Sequence, residues 1–225
     1  MQLNKILLIL FSFCYTLENR IDHNTHFLEE LDSEKNWQFV ELTDDSISIS
    51  IKYINDNIIN ALKVEKKTNL SLEKIENIIF DIGSYYKVLT NANVIKTEIL
   101  NEYDKSKIAH QLIEVDIPFF DNREYIFEIN LGSFDLESDE ILVYWKILSP
   151  DNTNFQNILN KDNISLNKGA GIWKYKPIDK NTNILQYTLF LDPEGYLPQF
   201  IIDILNKNSM VTLFRDVINH AKNKS

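Results

Sequence analysis

Few side chains in this sequence have the type and spacing of a reactive site. Cys14 is the only cysteine, so a thiol nucleophile or a disulfide would rest on that residue alone. His23 and His26 stand three apart, a spacing that could place both on one side of a helix and hold a metal. Neither a Cys cluster nor an HExxH pattern accompanies them, and a pair of solvated histidines is the plainer reading. His110 and Arg123, with a nearby tyrosine, could form an acid–base pair if one pocket held them. Glu98, Glu102, Glu114, Asp116 and Glu128 fall in stretches of strand character, where outward carboxylates are expected. The sequence contains no glycine-rich phosphate loop, metal-ligand spacing or nucleophile elbow. No catalytic residue, cofactor site or metal site is therefore assigned from motifs.

The elements that would position any site follow from the hydrophobic pattern. The segment GIWKYKPIDKNTNILQYTLFLDPEGYLP, residues 171–198, reads as a hairpin, a turn and a helix start. Trp173 and Tyr175 alternate with Lys174 and Lys176, Asp179-Lys180-Asn181 breaks the run, and Ile184 to Leu191 resumes it. Asp192-Pro193-Glu194-Gly195 supplies turn chemistry, because proline presets φ and glycine accepts positive φ. Pro198 suits a first helical turn. Residues 197–223 then place Leu197, Ile201, Ile204, Leu205, Leu213, Phe214, Val217 and Ile218 at helical spacing.

Upstream, Trp37, Phe39 and Glu41 alternate, as do Ile47, Ile49 and Ile51, predicting a strand pair with one wet face around the turn Thr43-Asp44-Asp45. A third strand follows Asn55-Asp56-Asn57, over 58–66. Ser71 is a candidate N-cap for a helix with Leu72, Ile75, Ile78, Ile79 and Ile82 on its apolar stripe; Gly83 interrupts it, and 85–89 forms a second short helix. Strands over 93–103 and 107–116 come next. In DNREYIFEINL, Tyr125, Phe127, Ile129 and Leu131 share one face. Its partner EILVYWKIL sets Ile141, Val143, Trp145 and Ile147 against Leu142 and Tyr144, so both of its faces should be covered. A long polar loop spans 149–162.

With 225 residues, 44% hydrophobic and 12% aromatic, the chain can bury a substantial core and form one domain. Its formal charge of −10 and three scattered arginines, Arg20, Arg123 and Arg215, argue against nucleic acid and acidic membranes as partners. Lys5 followed by the apolar run Ile6 to Phe13 has the length of a signal-peptide core and is too short to span a bilayer. Residues 1–16 are therefore expected to direct export, to the periplasm or the exterior, with cleavage after Cys14 or Thr16. Lipid attachment through Cys14 is the alternative, although Phe13 stands where such a signal wants a small residue. Residues 17–32 form a leader or short helix around Phe27, Leu28 and Leu31, and 33–223 form the domain.

The expected architecture is α+β: a curved antiparallel sheet of about nine strands around a long C-terminal helix, with one or two short helices after the third strand. Such an arrangement leaves a hollow that a ligand can occupy. The order of elements, a Trp near the first strand, DNREY after a proline, GIWKYKP followed by TNILQYTLFLDPEGYLPQFI, and a final helix holding Leu213-Phe214-Arg215 resemble a START domain over about residues 33–220. The resemblance implies a helix-grip fold whose tunnel shelters one lipid or similar apolar small molecule without covalent chemistry, in a monomer making transient membrane contact. The tunnel lining it implies is Tyr125, Phe127, Ile129, Val143, Trp145 and Tyr187 from the sheet, with Ile201, Ile204, Leu205 and Phe214 from the helix. Core packing is the commoner fate of such residues. Where sterol-carrying relatives place a basic residue, 126–131 contain neither Lys nor Arg. The alternatives are an enzyme of the related aromatase/cyclase type and a protein-interaction domain with a filled core.

Overall fold

The computed structural model describes residues 23–54, 59–92, 94–115, 120–132, 140–149, 155–195 and 199–223, with backbone alone at 23, 95, 156 and 199–205. The leader over residues 1–16, Pro118, Leu197 and Pro198 lie outside them. The chain opens with helix α1 (His23–Asp32), then β1 (Gln38–Leu42), β2 (Ser48–Tyr53) and β3 (Asn60–Thr68). Helix α2 (Leu72–Phe80), a 3-10 turn at Ile82–Ser84 and the short α3 (Tyr85–Val88) follow. Then come β4 (Val94–Glu102), β5 (Ser106–Ile113), β6 (Arg123–Leu131), β7 (Ile141–Ile147), β8 (Ile164–Ser165), β9 (Gly169–Pro177), β10 (Asn183–Leu191) and helix α4 (Gln199–Asn223).

The strands form one sheet in the order β1-β2-β3-β10-β9-β7-β6-β5-β4. Every neighbour along that path is antiparallel. The expected hairpins are all present. The tenth strand was not foreseen: β8 pairs in parallel with Arg123 and Glu124, beside the part of β6 that β7 leaves uncovered. Two residues are too few to show a period in sequence.

Helix α4 packs on α2, α3, β3 and β10, and α2 also meets β6 and β7. Together they cover the inner face of the sheet, whose core draws Ile49, Val64, Phe127, Trp173 and Leu185 together with Ile75, Ile79, Phe214 and Val217 of the helices. Helix α2 begins at Ser71, whose carbonyl takes the Ile75 N–H at 3.2 Å, but no side-chain cap forms. Asp216 of α4 is buried and accepts from the N–H groups of Asn91 (2.9 Å) and Ala92 (3.2 Å) and from Asn91 Nδ2 (2.6 Å). That fastens α4 to the chain between α3 and β4.

The outer face is not the wet surface that alternating Ser and Lys suggest. Helix α1 lies across β7, β9 and β10, and Phe27, Leu28 and Leu31 form a second core with Ile141, Tyr144, Ile172 and Phe190. Lys52 and Lys174, each 2% exposed, lie beneath its C-terminal end. Lys52 Nζ reaches Glu30 Oε2 at 2.9 Å, and Lys174 Nζ reaches the Asp32 carboxylate at 2.6 Å and its carbonyl at 2.8 Å. Ammonium groups there satisfy free helix carbonyls and complement the negative end of the helix dipole. Three side chains also depart from their expected faces. A register shift between Ile141 and Val143 turns Ile141 to the outer core and Leu142 to the inner one. Phe39 is exposed, because β1 is an edge strand with its own register shift between Phe39 and Glu41.

Candidate ligand-binding site

Alternation along β6 sends Tyr125, Phe127 and Ile129 to the inner face, and β7 adds Val143 and Trp145 beside them. The rings of Tyr125, Phe127 and Trp145 group with centroids 5.6–6.1 Å apart. A second column stacks Tyr187 on Trp173 at 4.3 Å and Phe214 on Trp173 at 5.7 Å, joining β10, β9 and α4. The seven candidate lining residues with described side chains, Tyr125, Phe127, Ile129, Val143, Trp145, Tyr187 and Phe214, thus belong to one buried cluster. Ile201, Ile204 and Leu205 lie on α4, and their side chains are outside the described residues.

Trp145 links the two ring groups through a gap in β9. Its register partner there is Gly171, and a Cβ on Gly171 would stand 2.4 Å from Trp145 Nε1 and 3.1 Å from the Tyr187 ring. Without that Cβ the indole crosses β9, and Nε1 donates to the Tyr187 hydroxyl at 3.1 Å. Two further phenols face the same interior. Tyr125 donates to Gln111 Oε1, and Gln111 Nε2 donates to Thr97 at 2.9 Å. Tyr85 donates to the Ile79 carbonyl at 2.6 Å. Burial pushes the pKa of all three phenols well up, so each stays neutral.

The groups that sequence reasoning offered for acid–base work do not meet in this interior. His110 pairs in register with Ile126 on the opposite face, and its Nε2 lies 2.9 Å from Glu124 Oε2. The other Glu124 oxygen accepts from Asn160 N–H at 2.5 Å. Arg123 is buried at the start of β6, where its guanidinium donates to the carbonyls of Pro193 (3.1 Å), Glu194 (3.4 Å) and Asp121. Burial lowers its pKa. It therefore clamps the turn that leads to α4, where Glu194 and Gly195 both take positive φ (51° and 76°). That role was missed: nothing in DNREY reveals which carbonyls the guanidinium will meet. Among the described residues, no group of three or more His, Cys, Asp or Glu could hold a metal ion, and His26 is exposed; the His23 side chain is outside them.

No family model and no curated protein matches the sequence. Solved structures do match the fold. The STAR-related lipid transfer protein of Xanthomonas axonopodis superposes with a TM-score of 0.69 at 14% identity, over 84% of this chain and 100% of that one. Human StAR-related lipid transfer protein 5 gives 0.66 at 15% identity, over 88% and 92%. The Zhui aromatase/cyclase of Streptomyces gives 0.51 at 11% identity, over 73% and 94%. Relatives this distant speak for the fold alone, and lipid transfer proteins and an aromatase/cyclase share it. Sheet order, inner helices and these superpositions together show that the described residues adopt the START-like helix-grip fold.

Proposed function

We propose that this domain encloses one lipid-like apolar ligand between the inner sheet face and α4 and carries it without chemical change. The observation that carries this reading is the inner face itself. A continuous aromatic and aliphatic surface runs from Phe127 to Tyr187, and its buried polar groups are mainly neutral hydroxyls and amides. A site of that composition acts as a solvent. Each methylene kept from water is worth about 0.8 kcal/mol, so a single acyl chain provides the driving force for uptake. Tyr125, Phe127, Ile129, Val143, Trp145 and Tyr187 are the proposed sheet contacts, with Ile201, Ile204, Leu205 and Phe214 the proposed helix contacts. The enzyme reading draws support from the aromatase/cyclase fold match, but Arg123 and His110 are committed elsewhere.

Residues 1–16 fit an export signal, which amino-terminal sequencing of the mature protein tests directly. Native mass spectrometry of protein purified without detergent should reveal a co-purified lipid. Phe127→Glu should abolish uptake of a fluorescent acyl lipid. A folded Phe127→Glu protein that still takes up the probe, or lipid-free protein that accepts none, would refute the reading.

A further inference from the structure

The inner aromatic cluster holds a polar group that packing alone leaves unexplained. The Tyr187 hydroxyl is buried and accepts from Trp145 Nε1 at 3.1 Å, yet its own hydrogen has no acceptor among the described residues. A buried donor without a partner is costly, and such groups in folded proteins normally find one. The neighbouring phenols differ: the Tyr85 hydrogen goes to Ile79 and the Tyr125 hydrogen to Gln111. Trp145 already serves the Tyr187 oxygen as an acceptor, so the capacity left unmet among the described residues is its donor. Burial keeps it protonated.

Burial raises the Tyr187 pKa, and no ionised side chain among the described residues contributes to that shift. Several charged groups on the elements that bound the interior are engaged with one another or with amide groups: Lys107 with Glu102 at 3.0 Å, Lys207 with Glu41 at 3.1 Å, Arg123 with the turn carbonyls and Asp216 with Asn91 and Ala92. A carboxylate or phosphate beside Tyr187 would lose its water without gaining a counter-ion.

We propose that the site selects an uncharged lipid bearing a hydrogen-bond acceptor, such as an ester or ketone oxygen, which takes the Tyr187 hydrogen. This deepens the carrier reading and rests on it. Methyl laurate, laurate anion and dodecane, matched in chain length, are titrated calorimetrically into delipidated protein and into Tyr187→Phe. The wild type should bind the ester about 3- to 10-fold more tightly than dodecane, the gain of one buried hydrogen bond, and more tightly than the anion. Tyr187→Phe should bring the ester-to-dodecane affinity ratio down to about one, whatever the change in absolute affinity. Trp145→Phe, which frees the acceptor side of Tyr187, should raise the affinity for dodecan-1-ol relative to the ester several-fold, and it serves if Tyr187→Phe fails to fold. Equal binding of ester and dodecane, preference for laurate, or an unchanged alcohol-to-ester ratio in Trp145→Phe overturns the proposal while the carrier reading stands. Failure of every probe to bind removes both.

Discussion

Replacing Gly171 with alanine tests how the two ring groups are joined. The added Cβ would fall 2.4 Å from Trp145 Nε1 and 2.8 Å from its Cε2, closer than real Cβ atoms approach, and the obstacle is a rigid indole wedged among buried rings. The indole must move. Forcing an extra carbon against close-packed side chains costs about 1–3 kcal/mol. Moving Nε1 also breaks its bond to Tyr187, worth about 1 kcal/mol, while the stiffer unfolded chain returns about 0.4–1 kcal/mol. The net expectation is a loss of about 1–4 kcal/mol. For a chain of this length that lowers the thermal midpoint by about 2–14 °C, read by circular dichroism. Tyr187→Phe should then cost less in the Gly171→Ala background than in the wild type, since the same bond is already gone. A Gly171→Ala protein as stable as the wild type would refute the claim that the indole crosses β9 through the space this glycine leaves.

Arg123→Met removes three bonds to carbonyls at a buried site, and a urea titration should register a loss of about 2–4 kcal/mol; an unchanged midpoint would show that the turn before α4 holds itself. Asp216→Ala leaves the Asn91 and Ala92 amides without their acceptor and should destabilise by about 2 kcal/mol by the same measurement. Burial alone would raise the Glu34 pKa, yet the hydrogen bond from Lys176 and the charges of Lys63, Lys176 and Lys174 outweigh it and hold the group at about 2 against an ordinary 4.5. Its folded value being depressed, the stabilisation is complete above about pH 4.5 and is lost as pH falls toward 2. The effect is small because the carboxylate is half-exposed. Glu34→Gln should flatten that part of a stability-against-pH profile, and identical profiles would remove Glu34 from the account.

The hairpins and helices were legible because their side chains repeat at two or at 3.6 residues and their turns carry Pro, Gly, Asp and Asn. The inner cluster followed from that alternation: Tyr125, Phe127, Val143, Trp145 and Tyr187 are buried together. What sequence could not reveal was what covers the other face. The run SISIK reads as half wet, and only the docking of α1 turns Lys52 into a buried partner of Glu30. The same holds for Ile141, whose face depends on a register shift that no period announces, and for β8, too short to have a period. The link from Trp145 to Tyr187 also lay hidden, since it needs three strands in register before the glycine between the two rings acquires meaning.

The three tryptophans divide between the two sides of the sheet. Trp37 sits on the outer side with Lys63 Nζ 5.0 Å from its ring, whereas Trp145 and Trp173 lie under α4 and α2. The molecule thereby carries separate optical reporters for its two halves. Emission from a protein retaining Trp37 alone follows undocking of α1, and emission from one lacking only Trp37 follows rearrangement beneath α4, so the two events can be timed against each other in a single mixing experiment.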